Sequence, residues 1–187
     1  MRRILGATLL AGLVVTSTTA GAARPMGSTS AASAGPLAST VAGTSGCTIS
    51  GTDGDDVLRG TPQADVICGG NGDDAILGLG GPDRILGGRG NDRIDGGRGA
   101  DDVDGGRGAD LVIGGGANDH VEGGPNHDAV YGNEGSDIVQ AGRGQDFCVN
   151  TNDGVDGNDV ANGGPGQDVF DADRHDVLVD VETSRDC

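Results

Sequence analysis

The chain has 187 residues, which suits one domain with flanking segments. It carries 39 Gly but only 2 Phe, 1 Tyr and no Trp, so an aromatic core is excluded. Its 29 acidic residues outweigh 12 basic ones for a formal net charge of −17, a sign that argues against nucleic acid and anionic membrane surfaces as partners. A chain so charged and so poor in apolar surface stays expanded unless something positive neutralises it, which points to a cation.

Residues 1–23 read as a signal peptide. Arg2 and Arg3 make a basic start, Ile4 to Val15 is a short apolar run, and Ala20-Gly21-Ala22 is an A-x-A-like cleavage site with Gly21-Ala22-Ala23 as a near alternative. The apolar run is too short for a comfortable membrane span, and the arginine pair is weak evidence for twin-arginine export. Cleavage removes two arginines and no acid, taking the charge from −17 to −19. Residues 24–46 are Ser, Thr, Ala, Gly and Pro without periodicity and read as a flexible linker.

From Gly51 the chain repeats every nine residues. The units are GTDGDDVLR (51–59), GTPQADVIC (60–68), GGNGDDAIL (69–77), GLGGPDRIL (78–86), GGRGNDRID (87–95), GGRGADDVD (96–104), GGRGADLVI (105–113), GGGANDHVE (114–122), GGPNHDAVY (123–131), GNEGSDIVQ (132–140) and AGRGQDFCV (141–149). All eleven carry Asp at position six: Asp56, Asp65, Asp74, Asp83, Asp92, Asp101, Asp110, Asp119, Asp128, Asp137 and Asp146. After an insertion at 150–153 come two weaker units, GVDGNDVAN (154–162) and GGPGQDVFD (163–171). The tail contains DVLVDVE (176–182), whose acidic–apolar alternation reads as a closing strand or cap. The expected organisation is therefore signal peptide 1–23, linker 24–46, repeat domain 47–149, and weaker repeats with a C-terminal cap at 150–187.

The first six residues of a unit are rich in Gly, Asn and Asp and suit a sharp turn. The last three suit a short strand with an apolar residue at position eight, from Leu58 and Ile67 through Val130 and Val139 to Cys148. Strand side chains alternate faces, so if position six continues the strand geometry it lies on the same side as position eight, while positions seven and nine face outward. Each aspartate then points inward, and an unpartnered inward carboxylate costs several kcal/mol. The arginines fall mainly at positions three, seven and nine and cannot supply the partner. A bound cation is the simplest solution. Hard oxygen donors suit Ca²⁺, with its six to eight loosely arranged ligands, better than Mg²⁺, which demands strict octahedral geometry; Zn²⁺ prefers His or Cys.

Four cysteines in an exported chain suggest two disulfides, for which three pairings are possible. Cys47 and Cys68 lie at the start of the array, Cys148 and Cys187 bracket its other end, and one clamp per end is the preferred arrangement. No C-x-x-C spacing supports metal ligation by cysteine.

The nine-residue pattern resembles the GGxGxDxUx family of hemolysin-type, or RTX, calcium-binding repeats, strongly over 51–149 and weakly over 154–171. The resemblance implies an all-β fold, a parallel β-roll (a right-handed β-solenoid) with two nonapeptides per coil. It also implies several Ca²⁺ ions between stacked turns, held by the position-six carboxylates and backbone carbonyls. Asp56 would stack on Asp74 and Asp92 along one edge, and Asp65 on Asp83 and Asp101 along the other. Eleven units offer nine stacked pairs, hence about nine sites at most. Position four departs from Gly at Gln63, Ala117 and Asn126, and position two is Leu79 in the fourth unit, so sites using these turns are expected to be weaker or absent. Asp55, Asp73, Asn91 and Asn118 at position five could add ligands but read first as solvated turn residues.

Sorting units by parity separates the two sheets. Odd units put Val57, Ala75, Leu77, Leu111, Ile113, Ala129, Tyr131, Phe147 and Val149 outward; even units put Arg84, Asp102, Asp104, His120 and Glu122 there. The odd face is expected to need cover, by the segment bearing Val177, Leu178, Val179 and Val181 or by a partner molecule. The expected function is calcium binding by a secreted, non-enzymatic protein in a structural or surface-interaction role. The alternatives are an adhesive or partner-binding module and a hydrolase. His120, His127 and His175 are the candidate bases for a hydrolase, but no nucleophile elbow or metalloprotease motif accompanies them.

Overall fold

In the computed structural model of the chain, the described residues are 46–146, 149–150, 158–172, 175–180 and 183–184. The signal peptide at 1–23, the linker apart from Gly46, and the Cys148–Cys187 pairing lie outside them, as do Phe147 and Val181.

Two eight-stranded parallel sheets face each other, and no helix occurs among the described residues. The even units, preceded by β1 (Ile49–Ser50), contribute one sheet: β3 (Val66–Asn71), β5 (Arg84–Arg89), β7 (Asp102–Arg107), β9 (His120–Pro125), β11 (Ile138–Arg143), β13 (Val160–Asn162) and β15 (Val177–Val179). The odd units contribute the other: β2 (Val57–Arg59), β4 (Ala75–Leu77), β6 (Arg93–Arg98), β8 (Leu111–Gly116), β10 (Ala129–Glu134), β12 (Val149–Asn150), β14 (Val169–Asp171) and β16 (Thr183–Ser184). The chain alternates between sheets at every unit, so each coil uses two nonapeptides and the whole is a β-solenoid of about seven turns.

Register follows the repeat. Ile67 pairs with Ile85 and Ile85 with Val103 in one sheet; Leu58 pairs with Ile76 and Ile76 with Ile94 in the other. Because identical positions stack, the position-eight side chains from Leu58 to Val139 form two facing columns, each member at most 1% exposed. Ala161 and Phe170 continue the columns past the insertion, and β11 pairs directly with β13 across it. The core is therefore one side chain deep per strand, which is why the chain needs no aromatic centre.

Strands in the middle of the array are six residues long, not three. They run through positions seven to nine and on into the first three residues of the next unit. There Gly70 pairs with Gly88 and Gly88 with Gly106. Glycine lets adjacent coils approach closely; a Cβ built at Gly108, where φ is +140°, would collide with the carbonyl oxygen of Gly90.

The expected cover for the odd-unit sheet is not formed. β15 pairs with β13, Val160 against Val177 and Ala161 against Leu178, and β16 pairs with β14. The tail thus adds a last rung to each sheet instead of crossing a face, because the open strand edges offer unpaired N–H and C=O groups for a closing strand to satisfy. Nor is the odd face the sole apolar one. Ala75, Leu111, Ile113, Ala129 and Tyr131 are half-buried against their in-register neighbours, leaving Val57 and Leu77 exposed. The even-unit sheet exposes Ile138, Val160 and Val177 in a single register row.

Candidate metal centre

Each inter-strand turn ends on a position-six aspartate, and these side chains do face inward. Asp74, Asp83, Asp92, Asp101, Asp110, Asp119, Asp128, Asp137 and Asp146 are all at most 3% exposed; Asp56 and Asp65, in the first coil, are half-buried. Two carboxylates that sequence reasoning left out join them: Asp159 and Asp168, both fully buried. Position six of the two units after the insertion was the available signal.

Hydrogen bonds link the aspartates in two ladders. The backbone N–H of each donates to Oδ1 of its counterpart one coil on: Asp56 to Asp74 (2.8 Å), Asp74 to Asp92 (2.8 Å), Asp92 to Asp110 (2.7 Å) and Asp110 to Asp128 (2.9 Å) along one edge. Along the other, Asp65 donates to Asp83 (2.8 Å), Asp83 to Asp101 (2.8 Å), Asp101 to Asp119 (2.9 Å) and Asp119 to Asp137 (2.8 Å). The ladders continue to Asp168 and, through Asp159, to Asp176. The expected stacking order is the one observed.

In eight of these carboxylates Oδ1 is thus accounted for and Oδ2 is not. Oδ2 of Asp74, Asp83, Asp92, Asp101, Asp110, Asp119, Asp128 and Asp146 is buried without a hydrogen-bond donor. This oxygen lies over the first glycine of its own unit: a Cβ built at Gly78 would come within 2.7 Å of Asp83 Oδ2, and one at Gly87 within 2.6 Å of Asp92 Oδ2. A larger residue there would fill the space in front of the orphaned oxygen.

The electrostatics of these groups are unfavourable without a counter-charge. Burial pushes the carboxyls of Asp110 and Asp119 up to about 7 and those of Asp74 and Asp146 up to about 6, from an ordinary 3.8. The N–H donated by the preceding coil opposes the shift in part, while the neighbouring ladder carboxylates add to it. Asp83, Asp92, Asp101 and Asp128 are raised as well, burial again being the largest cause. Arg84, Arg89, Arg93, Arg98 and Arg107 all lie exposed, away from this interior. Repeated, buried, oxygen-only acceptors, eight of them with a bare oxygen, fit a hard divalent cation, and Ca²⁺ tolerates such a mix of carboxylate and carbonyl ligands.

Other candidate residues stand apart from the ladders. Asp55, Asp73, Asn91 and Asn118 at position five are exposed, and Asp73 and Asn91 bond along their own outer column. His120 lies on the outer face of the even-unit sheet, with Nδ1 3.0 Å from Asp102 Oδ1 and Nε2 facing the Gln140 amide at 2.9 Å. His127 accepts the backbone N–H of Gln145 in an exposed turn. Cys47 and Cys68 form the disulfide expected at the start of the array.

The family model of the RTX calcium-binding nonapeptide repeat matches the chain in four copies, at residues 48–76, 77–112, 113–148 and 153–176. Among curated proteins none matches.

Proposed function

This chain belongs to the RTX calcium-binding nonapeptide repeat family, and from that premise we propose that it is an exported protein whose roll closes as Ca²⁺ fills the turns. The repeats imply calcium binding, and the family is a non-catalytic structural kind. The observation that carries the reading further is the row of buried Oδ2 atoms lacking a donor. The proposed ligands are the position-six carboxylates whose Oδ2 lacks a donor, from Asp74 onward, with backbone carbonyls of the glycine turns. Asp159 and Asp168 join the set read from sequence. Bound calcium supplies positive charge to two columns of carboxylates that otherwise repel each other.

Export is supported by the basic–apolar–small pattern of residues 1–23 and by the Cys47–Cys68 disulfide, which suits an oxidising compartment. Outside the cell, millimolar calcium meets a chain that charge repulsion keeps expanded, and binding is coupled to folding. The role of the folded roll is structural or surface-displaying. No helix among the described residues is long and apolar enough to cross a membrane.

Circular dichroism of the mature chain with calcium and with chelator tests the coupling. The parallel-sheet signal is expected with calcium and its loss without. Asp92→Ala or Asp110→Ala is expected to lower the number of bound ions measured by calorimetry, whereas Asp102→Ala, on the outer face, leaves it unchanged. A sheet signal indifferent to chelator, or an ion count indifferent to Asp92→Ala, contradicts the reading.

A further inference from the structure

Units one and two carry Thr52 and Thr61 at position two, where most later units carry glycine. In both, the aspartate Oδ2 that is bare in later turns is doubly bonded. Thr52 donates its backbone N–H to Asp56 Oδ2 at 2.6 Å and its hydroxyl at 2.8 Å. Thr61 does the same to Asp65 Oδ2, at 2.8 and 2.7 Å. Each hydroxyl oxygen in turn accepts a backbone N–H two residues on, from Gly54 and Gln63, both at 3.2 Å.

The backbone separates these turns independently of the side chains. Most later turns place positions two and four at positive φ, as at Gly88 and Gly90 (114° and 131°) and at Gly97 and Gly99 (102° and 138°). Thr52, Gly54, Thr61 and Gln63 are not in that region. The first coil is therefore a different turn, not a weak copy of the others. Its edge is finished by hydroxyl chemistry as well: Thr48 Oγ1 lies 3.2 Å from Asp65 Oδ1, the oxygen that in later aspartates accepts an N–H from the coil before. The Cys47–Cys68 disulfide closes the same coil covalently.

We propose that the first coil closes without metal, Thr52 and Thr61 acting as positioning residues that hold Asp56 and Asp65 where later turns use a cation. The inference rests on the calcium reading above and narrows it: loading begins at the second coil, and the first is a preformed template whose edges β4 and β5 extend. Two hydrogen bonds to one carboxylate oxygen, one from N–H and one from O–H, satisfy it locally and remove the need for a counter-ion in a half-exposed turn.

Amide hydrogen exchange on the full mature chain, read by NMR in calcium and in chelator, tests this. Protection at Thr52 and Thr61 is expected to stay within about twofold, while the amides of Gly90 and Gly99, which bond Arg107 and Gly116 across the array, lose roughly tenfold or more. Equal losses at all four overturn the inference. Persistence at all four contradicts the calcium reading instead, leaving the hydroxyl lock to be judged by variants. For these, Thr52→Val with Thr61→Val is expected to lose about tenfold protection at both positions, and Thr52→Ser with Thr61→Ser to keep it. Valine variants as protected as the native chain overturn the role of the hydroxyls. As a second readout, Asp56→Asn with Asp65→Asn is expected to leave the bound calcium count unchanged while Asp92→Asn lowers it; equal reductions overturn the proposal.

Discussion

Leu79 occupies a turn position that nearly every later unit gives to glycine, and it does so at φ +80°. A left-handed conformation at a residue with a Cβ costs about 1–2 kcal/mol. Glycine adopts it freely but loses more chain entropy on folding. Leu79→Gly is therefore expected to raise stability in saturating calcium by about 1 kcal/mol, measured by denaturant unfolding. A loss would mean that the half-buried leucine side chain contributes more by packing than its backbone surrenders. Ala117 at φ +90° and Asn126 at +108° hold the same conformation at position four. Gln63 avoids it because its turn is of the hydroxyl-closed kind. Sequence alone flagged Leu79, Ala117 and Gln63 as departures of one type. What separates Gln63 is the threonine two residues earlier, and its hydroxyl bond to a carboxylate four residues on is not legible as a departure from a glycine pattern. Inward placement of the aspartates, by contrast, was legible, because alternation along a strand ties position six to the aliphatic position eight.

At the level of strands, the period of nine with strict alternation fixed which residues share a column, and parity assigned each unit to its sheet. Strand length was underestimated. Glycine pairs poorly by propensity, yet Gly88 and Gly106 lie in register because close coil approach favours the residue without a side chain. The destination of the tail was also hidden: alternation in Val177–Val179 specifies a strand but not which edge receives it. Each column is a single stack, so one truncation leaves a hole that no second layer can fill. Ile94→Ala, at a fully buried position, is expected to cost about 2–5 kcal/mol, read from denaturant unfolding in calcium. Val57→Ala, on an exposed outward position, should change stability by no more than about 0.5 kcal/mol. The same reasoning applies to the covalent clamp. Cys47 and Cys68 close a loop of 21 residues in sequence separation, so replacing both with serine should cost about 3 kcal/mol by the chain-entropy account.

For the molecule as a whole, the governing quantity is the free energy of holding two carboxylate ladders inside a chain of net charge −17. Protons and calcium relieve the same repulsion, and this sets the sign of the pH dependence. Asp110 and Asp119 are raised to about 7, and Asp74 and Asp146 to about 6, against an ordinary 3.8. The metal-free folded state then binds more protons than the unfolded chain between those values. Its stability is fully present below the ordinary carboxylate range and is lost as pH rises through 6 and 7. Calcium held by the ladder as proposed prefers its ionised form, so the stabilising effect then runs the other way and weakens on acidification. Calcium-depleted protein prepared by dialysis should therefore show more sheet signal by circular dichroism at pH 4.5 than at pH 7.5, and the gain in that signal produced by added calcium should be large at pH 7.5 and small at pH 4.5. Acid destabilisation of the metal-free chain would mean that burial of the ladder carboxyls is not what limits the fold. A calcium effect independent of pH would mean that the ion binds somewhere other than these oxygens.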